Sequence, residues 1–331
     1  MIRKLMASLA VAGAGLAMPA LAQYPERDIQ AVVPWAAGGA TDLVMRQLVP
    51  LVEEALDRRL IISNRTGGTG VIGSTHVLQQ TPDGHTLLLA AENAQLYPLL
   101  GLANFDYSDF HTINIIGQGV AVIAAPVNSP YDNLEQLLAA AKENPDALRM
   151  GVTGTGGLPS LVRALIETVD ELKVREITFA GDRPGIEAML AGHLDFMPLS
   201  LVAGRDLIRR GSLKGLAVVA TKEVSALPGV APITDTLPGM EKYLPWGPFW
   251  GVWVRKEVPE HAKQRLSVAF SAAVADEQFQ AFLAGMGAYP LNLTGDDARH
   301  YLERWQSVTS WSLYEAGSTR ASPEKLRIAR P

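Results

Sequence analysis

The sequence contains no cysteine, which excludes a disulfide scaffold, a thiolate nucleophile, an iron–sulfur cluster and a zinc finger. It also lacks an excess of positive charge: 29 Lys and Arg stand against 34 Asp and Glu, for a formal charge of −5 and a pI near 5.7. A nucleic-acid surface needs a basic footprint, so nucleic acid is not an expected partner. The six histidines, His76, His85, His111, His193, His261 and His300, are scattered without the paired spacing of a metal site. No Gly-x-Ser-x-Gly elbow occurs, so a hydrolase finds no support. No metal and no cofactor are expected. What remains is ordinary globular material: 331 residues, 30 Gly, 21 Pro and 48% hydrophobic residues, a length that suggests two domains.

Residues 1–22 read as an export signal. Arg3 and Lys4 precede an apolar run from Leu5 to Ala17, too short to span a bilayer, and then Met18, Pro19, Ala20, Leu21 and Ala22. A basic start, a short apolar stretch and a small-x-small site predict cleavage after Ala22 and a periplasmic protein. The absence of cysteine at that site excludes a lipid anchor. No later stretch approaches a membrane span.

Downstream, apolar runs of strand length alternate with helical periodicity. Ile29–Val33 reads as a strand, followed by a glycine loop from Ala36 to Asp42 and a helix carrying Leu43, Val44, Leu48, Leu51, Val52 and Leu56. Asp42 stands where an N-cap is expected. Leu60–Ser63 is a second strand, leading through Asn64 to Gly70 into a helix with Val71, Ile72, Val77 and Leu78; Thr86–Leu89 is a third. This βαβαβ order predicts a parallel sheet with right-handed crossovers. Ile113 to Pro126 is a long strand region where the chain is expected to leave the first domain. Further strands are expected at 150–152, 176–179, 195–197, 216–220 and 252–254, and helices at 134–144, 159–169, 184–191, 262–275 and 296–315. The polar, basic tail from Ser318 is expected to be poorly ordered.

From Tyr24 to about Ala316 the chain resembles the Bug family, the periplasmic receptors of tripartite tricarboxylate transporters. The matching motifs are Tyr24-Pro25, then Val33-Pro34-Trp35 with Gly38-Gly39 and Thr41-Asp42. Asn64-Arg65 with Gly67-Gly68, Gly70 and Ile72-Gly73 follows, and then Pro82-Asp83-Gly84-His85-Thr86-Leu87-Leu88. Gly181 with Pro184, Leu190-Ala191-Gly192 with Asp195, Arg210-Gly211 with Leu213-Lys214, and Ala226-Leu227-Pro228-Gly229-Val230 complete the set. The resemblance implies an α/β type II periplasmic binding protein with a ligand cleft between two lobes, 23–123 plus 236–331 and 124–235. It implies a monomer that takes a small organic acid, carboxylate or dicarboxylate and aromatic acids included, and hands it to membrane permease subunits. A periplasmic sensor feeding a two-component system is the alternative use of the same fold.

Two glycine loops ahead of helices suit a carboxylate because a helix start carries unpaired N–H groups and about half a positive charge. The ligand-binding residues expected there are Trp35, Gly38, Gly39, Thr41, Asp42, Gly67, Gly68, Thr69 and Gly70. Asp42 would repel a carboxylate if turned inward, so a capping role or a contact to an ammonium group are its two readings. Gly68-x-Gly70-x-x-Gly73 also fits a dinucleotide-binding pattern, with Glu92 about 20 residues on. A nucleotide-dependent enzyme is therefore a remote alternative, opposed by export to a compartment without nucleotide pools. Glu92 stands where the family more often has a small residue, and reads either as a solvated rim residue or as a counter-ion for a cationic ligand group; Asn93 beside it can hydrogen-bond the ligand. In the second lobe Thr153, Thr155, Gly181, Arg183 and Ser200 are expected at the cleft. That lobe departs from the family at Ser160, Arg163 and Leu199-Ser200. Arg163 reads as a surface residue or a carboxylate clamp. Trp246, Phe249, Trp250 and Trp253 read as core or hinge.

Overall fold

The computed structural model describes residues 24–331, and the expected export segment lies outside the described residues. The first lobe opens with β1 (Ile29–Val33), α1 (Ala40–Leu56), β2 (Leu60–Asn64), α2 (Val71–Leu78), β3 (Thr86–Ala91), the short α3 (Tyr97–Leu100) and β4 (Phe110–Gln118). The second lobe follows as β5 (Ala121–Pro126), α4 (Leu134–Glu143), β6 (Arg149–Val152), α5 (Leu158–Glu167) and β7 (Arg175–Thr178), then α6 (Asp182–Leu190), β8 (Met197–Ser200), α7 (Leu201–Arg209) and β9 (Leu213–Val218). The chain returns through α8 (Ile233–Thr236) to complete the first lobe with β10 (Phe249–Arg255), α9 (Glu260–Val274), α10 (Glu277–Gly285), β11 (Tyr289–Leu293) and α11 (Gly295–Glu315).

The first sheet runs β11-β4-β10-β3-β1-β2. β1 pairs in parallel with both β2 and β3, and β10 is antiparallel to β3 and β4. The central strands are apolar on both faces because both are covered. Ala31, Val33, Leu87 and Leu89 pack with α1, α9 and α10, while Val32, Leu88 and Ala90 share a core with residues of α2 and α11. The second lobe has β5 between β8 and β9, plus the parallel pair β6–β7, with a bridge from Met150 to Phe196.

Several elements escape the sequence pattern. β11 is an edge strand containing Pro290 with exposed Tyr289, so neither alternation nor β-propensity marks it. α7 starts at the residue after β8 ends, with no turn residue between them. The tail is packed rather than loose: Ser307 Oγ and Trp311 Nε1 donate to the Ala329 carbonyl at 2.7 and 2.9 Å, and the Arg330 guanidinium lies 4.0 Å over the Trp311 ring. The expectation of disorder from Ser318 fails because a buried Trp on α11 gives those polar residues partners that their own sequence does not show.

The chain changes sheets between β4 and β5 and again ahead of β10. These two crossings run side by side: Gly119 N–H donates to the Pro248 carbonyl at 2.8 Å, and Trp305 Nε1 to the Gly247 carbonyl at 2.9 Å. Trp246 stacks on Trp305 at 6.1 Å, and Phe249 meets Trp305 edge-on at 5.2 Å. Trp253, by contrast, is core and stacks on Tyr107 at 3.8 Å. A Cβ on Gly247 would collide with the Gly119 carbonyl oxygen, which belongs to the other crossing and cannot rotate away. Gly247→Ala is therefore expected to lower stability by about 2 kcal/mol through overpacking. The readout is the urea midpoint at constant slope, and an unchanged midpoint would refute the close apposition of the two crossings.

Candidate functional site

Between the lobes lies a cavity of about 40 Å³ lined by Trp35, Gly39, Ala40, Thr41, Ala91, Glu92, Asn93, Thr153, Leu158, Gly181, Asp182, Ser200, Pro248 and Trp250. In this closed state it has room for a few waters at most. Three closing hydrogen bonds cross it. Ala36 N–H donates to the Ala180 carbonyl at 3.3 Å, Ala40 N–H to Asp182 Oδ2 at 3.2 Å, and Asn93 Nδ2 to the Gly156 carbonyl at 2.7 Å.

Four helices begin at this cavity, α1 from the first lobe and α5, α6 and α7 from the second. Their N-caps are Gly39, Gly157, Gly181 and Ser200, and none makes a side-chain capping bond. Glycine has no side chain to cap with, so the local sequence itself leaves the first N–H groups without an intrahelical partner. Each start carries about half a positive charge, and together they make a water-poor pocket that favours anionic oxygen.

The first glycine loop is held rigid from behind. Asp42 lies in the first turn of α1 rather than at the expected N-cap, which is Gly39. Its Oδ2 accepts from Gly38 N–H at 2.9 Å and Arg46 Nε at 2.8 Å, and its Oδ1 from Asn64 Nδ2 at 2.9 Å. Burial opposes its ionisation, but those donors outweigh it and hold Asp42 below the usual carboxylate range. Its charge is thus spent inside the lobe, and it does not line the cavity. Gly38, at φ 76°, forms the turn behind the wall.

Gly67, Gly68, Thr69 and Gly70 do not line the cavity either. Gly68–Gly70 forms a tight turn whose Thr69 carbonyl accepts from Tyr97 Oη at 2.9 Å, and a Cβ on Gly154 of the second lobe would meet Thr69. Gly73 is required where a Cβ would press on Pro34 and the Arg65 carbonyl. The dinucleotide-like glycines are accounted for by packing.

In the second lobe Thr153, Gly181 and Ser200 reach the cavity, whereas Thr155 is exposed elsewhere. Arg183 pairs with Glu187 at 2.7 Å and lies against Gly38 of the first glycine loop, and Arg163 pairs with Glu167 and Glu176 at 3.6 and 3.5 Å; neither lines the cavity. Trp250, expected as core or hinge, forms part of the wall, and Ala40, Ala91, Leu158, Asp182 and Pro248 join it without having been singled out in the sequence.

The acidic side chains at the cavity are the unexpected feature. Glu92 is only 2% exposed, so it is no solvated rim residue; its Oε2 accepts from Phe249 N–H at 3.3 Å. Burial, with the nearby charge of Asp182 adding to it, pushes its carboxyl up to about 7 despite that donor. Asp182 was hidden in the sequence between Gly181 and the more conspicuous Arg183. Burial pushes it up to about 6, with Ala40 N–H pulling the other way. Its carboxylate occupies the opening of α1, the kind of place an anionic ligand favours. The one legible signal was an acid at the first position of a helix opened by glycine.

A family model described as tripartite tricarboxylate transporter family receptor matches residues 44–308. BugT of Bordetella pertussis is 26% identical over 307 residues, covering 90% of this chain and 93% of that protein. Among solved structures, the periplasmic binding protein BugD matches with a TM-score of 0.84 at 26% identity, over 89% of this chain and 99% of that one. Two structures from Rhodopseudomonas palustris share the fold. One carries adipate (TM-score 0.83, 21% identity, 89% and 98% covered), and the other is MatC with bound malate (0.78, 23%, 86% and 100%).

Glu92 and Asp182 hold their protons more tightly folded than unfolded, so they make stability fall as pH rises from about 4 through about 7. At pH 8 the ionised Glu92 costs about 3 kcal/mol. Glu92→Gln is expected to be more stable than the wild type at pH 8 by roughly that amount, and the two should converge near pH 4. Taking the difference removes the opposite contribution of His111, which burial depresses. Equal urea stability of the pair at both pH values would contradict a buried, proton-retaining Glu92.

Proposed function

Because the chain belongs to the tripartite tricarboxylate transporter receptor family, we propose that it captures a small organic acid in the cleft between its lobes and presents it, closed, to a membrane permease of that transporter class. The observation that carries this reading is the convergence of four uncapped helix starts, from both lobes, on one cavity. Such starts bind carboxylate oxygen through backbone N–H groups without a basic side chain. Small dicarboxylates occupy the two Rhodopseudomonas palustris structures of the same fold.

The route to the site follows from what blocks it. In the closed form Ala40 N–H is taken by Asp182 of the opposite lobe. When the second lobe swings away about the paired crossings, Asp182 leaves with α6, and the α1 opening is free for a ligand carboxylate. Thr41 and Trp35 stay with the first lobe as a hydroxyl donor and an apolar wall. Closure then brings Thr153, Ser200 and the starts of α5 and α7 over the ligand and removes water, which strengthens every hydrogen bond in the site. The ligand must favour the closed form by its differential contacts, and that form is what a permease reads. The protein works in the periplasm as a monomer, exported by residues 1–22 with cleavage after Ala22. Among the described residues no helix is long and apolar enough to cross a membrane.

A ligand at 100 times its dissociation constant should stabilise the protein by about 2.7 kcal/mol, visible as a rise in Tm. Ala40→Pro removes the N–H at the first position of α1, where proline is tolerated, and the extended backbone of Gly39 before it (φ −78°, ψ 172°) suits a following proline. This variant should fold and lose at least about tenfold in affinity for the organic acid that stabilises the wild type. Unchanged affinity would place the carboxylate somewhere other than the α1 opening.

A further inference from the structure

Resting on that receptor reading, we propose that the organic acid also carries a protonated amine, and that its ammonium group donates to Glu92, Asp182 and Ser200. Among the described residues no Lys, Arg or His lines the cavity, while two carboxylates do. Glu92 accepts only from backbone, from Phe249 N–H at 3.3 Å and from its own N–H, and among the described residues no cationic side chain pairs with it. Ser200 makes the second, independent observation. It is 2% exposed, its Oγ has no hydrogen-bond partner, it lines the same cavity, and it does not cap α7, where it stands at the N-cap. A buried hydroxyl without a partner costs free energy unless a ligand supplies one.

An ammonium has three donors and one positive charge. Two carboxylates and a hydroxyl match that donor count, and the charge relieves the repulsion between Glu92 and Asp182. A plain dicarboxylate would instead bring two more negative charges and no donor to the same cavity, an arrangement that rejects it. In an amino acid the carboxylate keeps the helix starts, with Thr41 and Thr153 as hydroxyl donors, and the amine meets the acids. Asp182, which accepts from Ala40 N–H with Oδ2, then meets the ammonium as well.

Matched pairs that differ only by the amino group test this. Calorimetry at pH 7.5 on the purified protein compares aspartate with succinate and glutamate with glutarate, with putrescine as an amine lacking carboxylate. The expected result is a preference of at least about tenfold for one or both aminated acids. Glu92→Gln should shrink that preference by about tenfold, by weakening the aminated member and relieving the repulsion on the other, and Ser200→Ala should weaken the aminated member without cost to stability. Binding of the aminated acid should also strengthen from pH 5.5 to 8 as the acids ionise. Tyr97, Tyr107 and Tyr301 also feel or add to the charge around Glu92, but burial raises all three phenols, so Asp182 is its only such neighbour that changes charge in that range. Succinate and glutarate each binding as tightly as its aminated partner, or a preference untouched in Glu92→Gln, would overturn the amine contact and leave the receptor reading standing. Binding of putrescine alone, or of nothing in the panel, would overturn the organic-acid reading and with it the aminated acid proposed as the ligand.

Discussion

The site depends on a set of backbone N–H groups that the chain cannot satisfy locally. A helix opened by serine, threonine or aspartate usually spends that side chain on its own first turn. Here α1, α5 and α6 open on Gly39, Gly157 and Gly181, and the one conventional capping residue, Ser200, does not cap. The resulting donors point into the gap between two sheets, at the carboxyl ends of strands, where an open α/β architecture leaves its crevice. Everything else at the site serves to hold these openings still or to answer their charge. Asp42, Arg46 and Asn64 lock the first loop from behind, and Tyr97 anchors the second.

Charge balance then explains what the two acids do at these helix starts. Four helix starts contribute about two positive charges in sum, and Glu92 and Asp182 answer them from opposite lobes. Asp182 acts as a tethered carboxylate, reaching across the cleft to Ala40 N–H as an external acid could. The arrangement is costly, because both acids are pushed toward neutrality by burial. Destabilised groups at a binding site, offset by a well-packed remainder, are a common trade of stability for function. The packed remainder includes the crossings, where glycine, tryptophan and proline hold the two passages between the lobes together.

Much of the fold was legible in the sequence. The apolar run Ile29–Val33, the three- and four-residue spacing in α1 and the glycine loops follow from local rules, and the parallel pairing of β1 with β2 and β3 follows from their alternation with helices. Several residues expected at the site, Trp35, Gly39, Thr41, Glu92, Asn93, Thr153, Gly181 and Ser200, do meet at one cavity. Other expectations were misplaced for definite reasons. Gly67–Gly70 obeys the same local rule as the first loop, yet its turn is consumed in packing against Tyr97 and the second lobe. Arg183 does sit across the cleft against Gly38, but its i, i+4 partner Glu187 keeps its guanidinium out of the cavity lining. β11 and the C-terminal tail lacked any signal because their stability comes from β4 and Trp311, not from their own residues.

The sequence by itself determined the alternation of strands and helices, the glycines that open the helices without caps, and the absence of thiols or paired histidines. Each of these is set by residues a few positions apart. Which loops face each other across the cleft, that Asp182 reaches Ala40 from 142 positions away, and that Glu92 and Ser200 are buried in one cavity were decided only by the tertiary structure. Burial and long-range charge depend on what the folded chain brings together, and no local pattern records that.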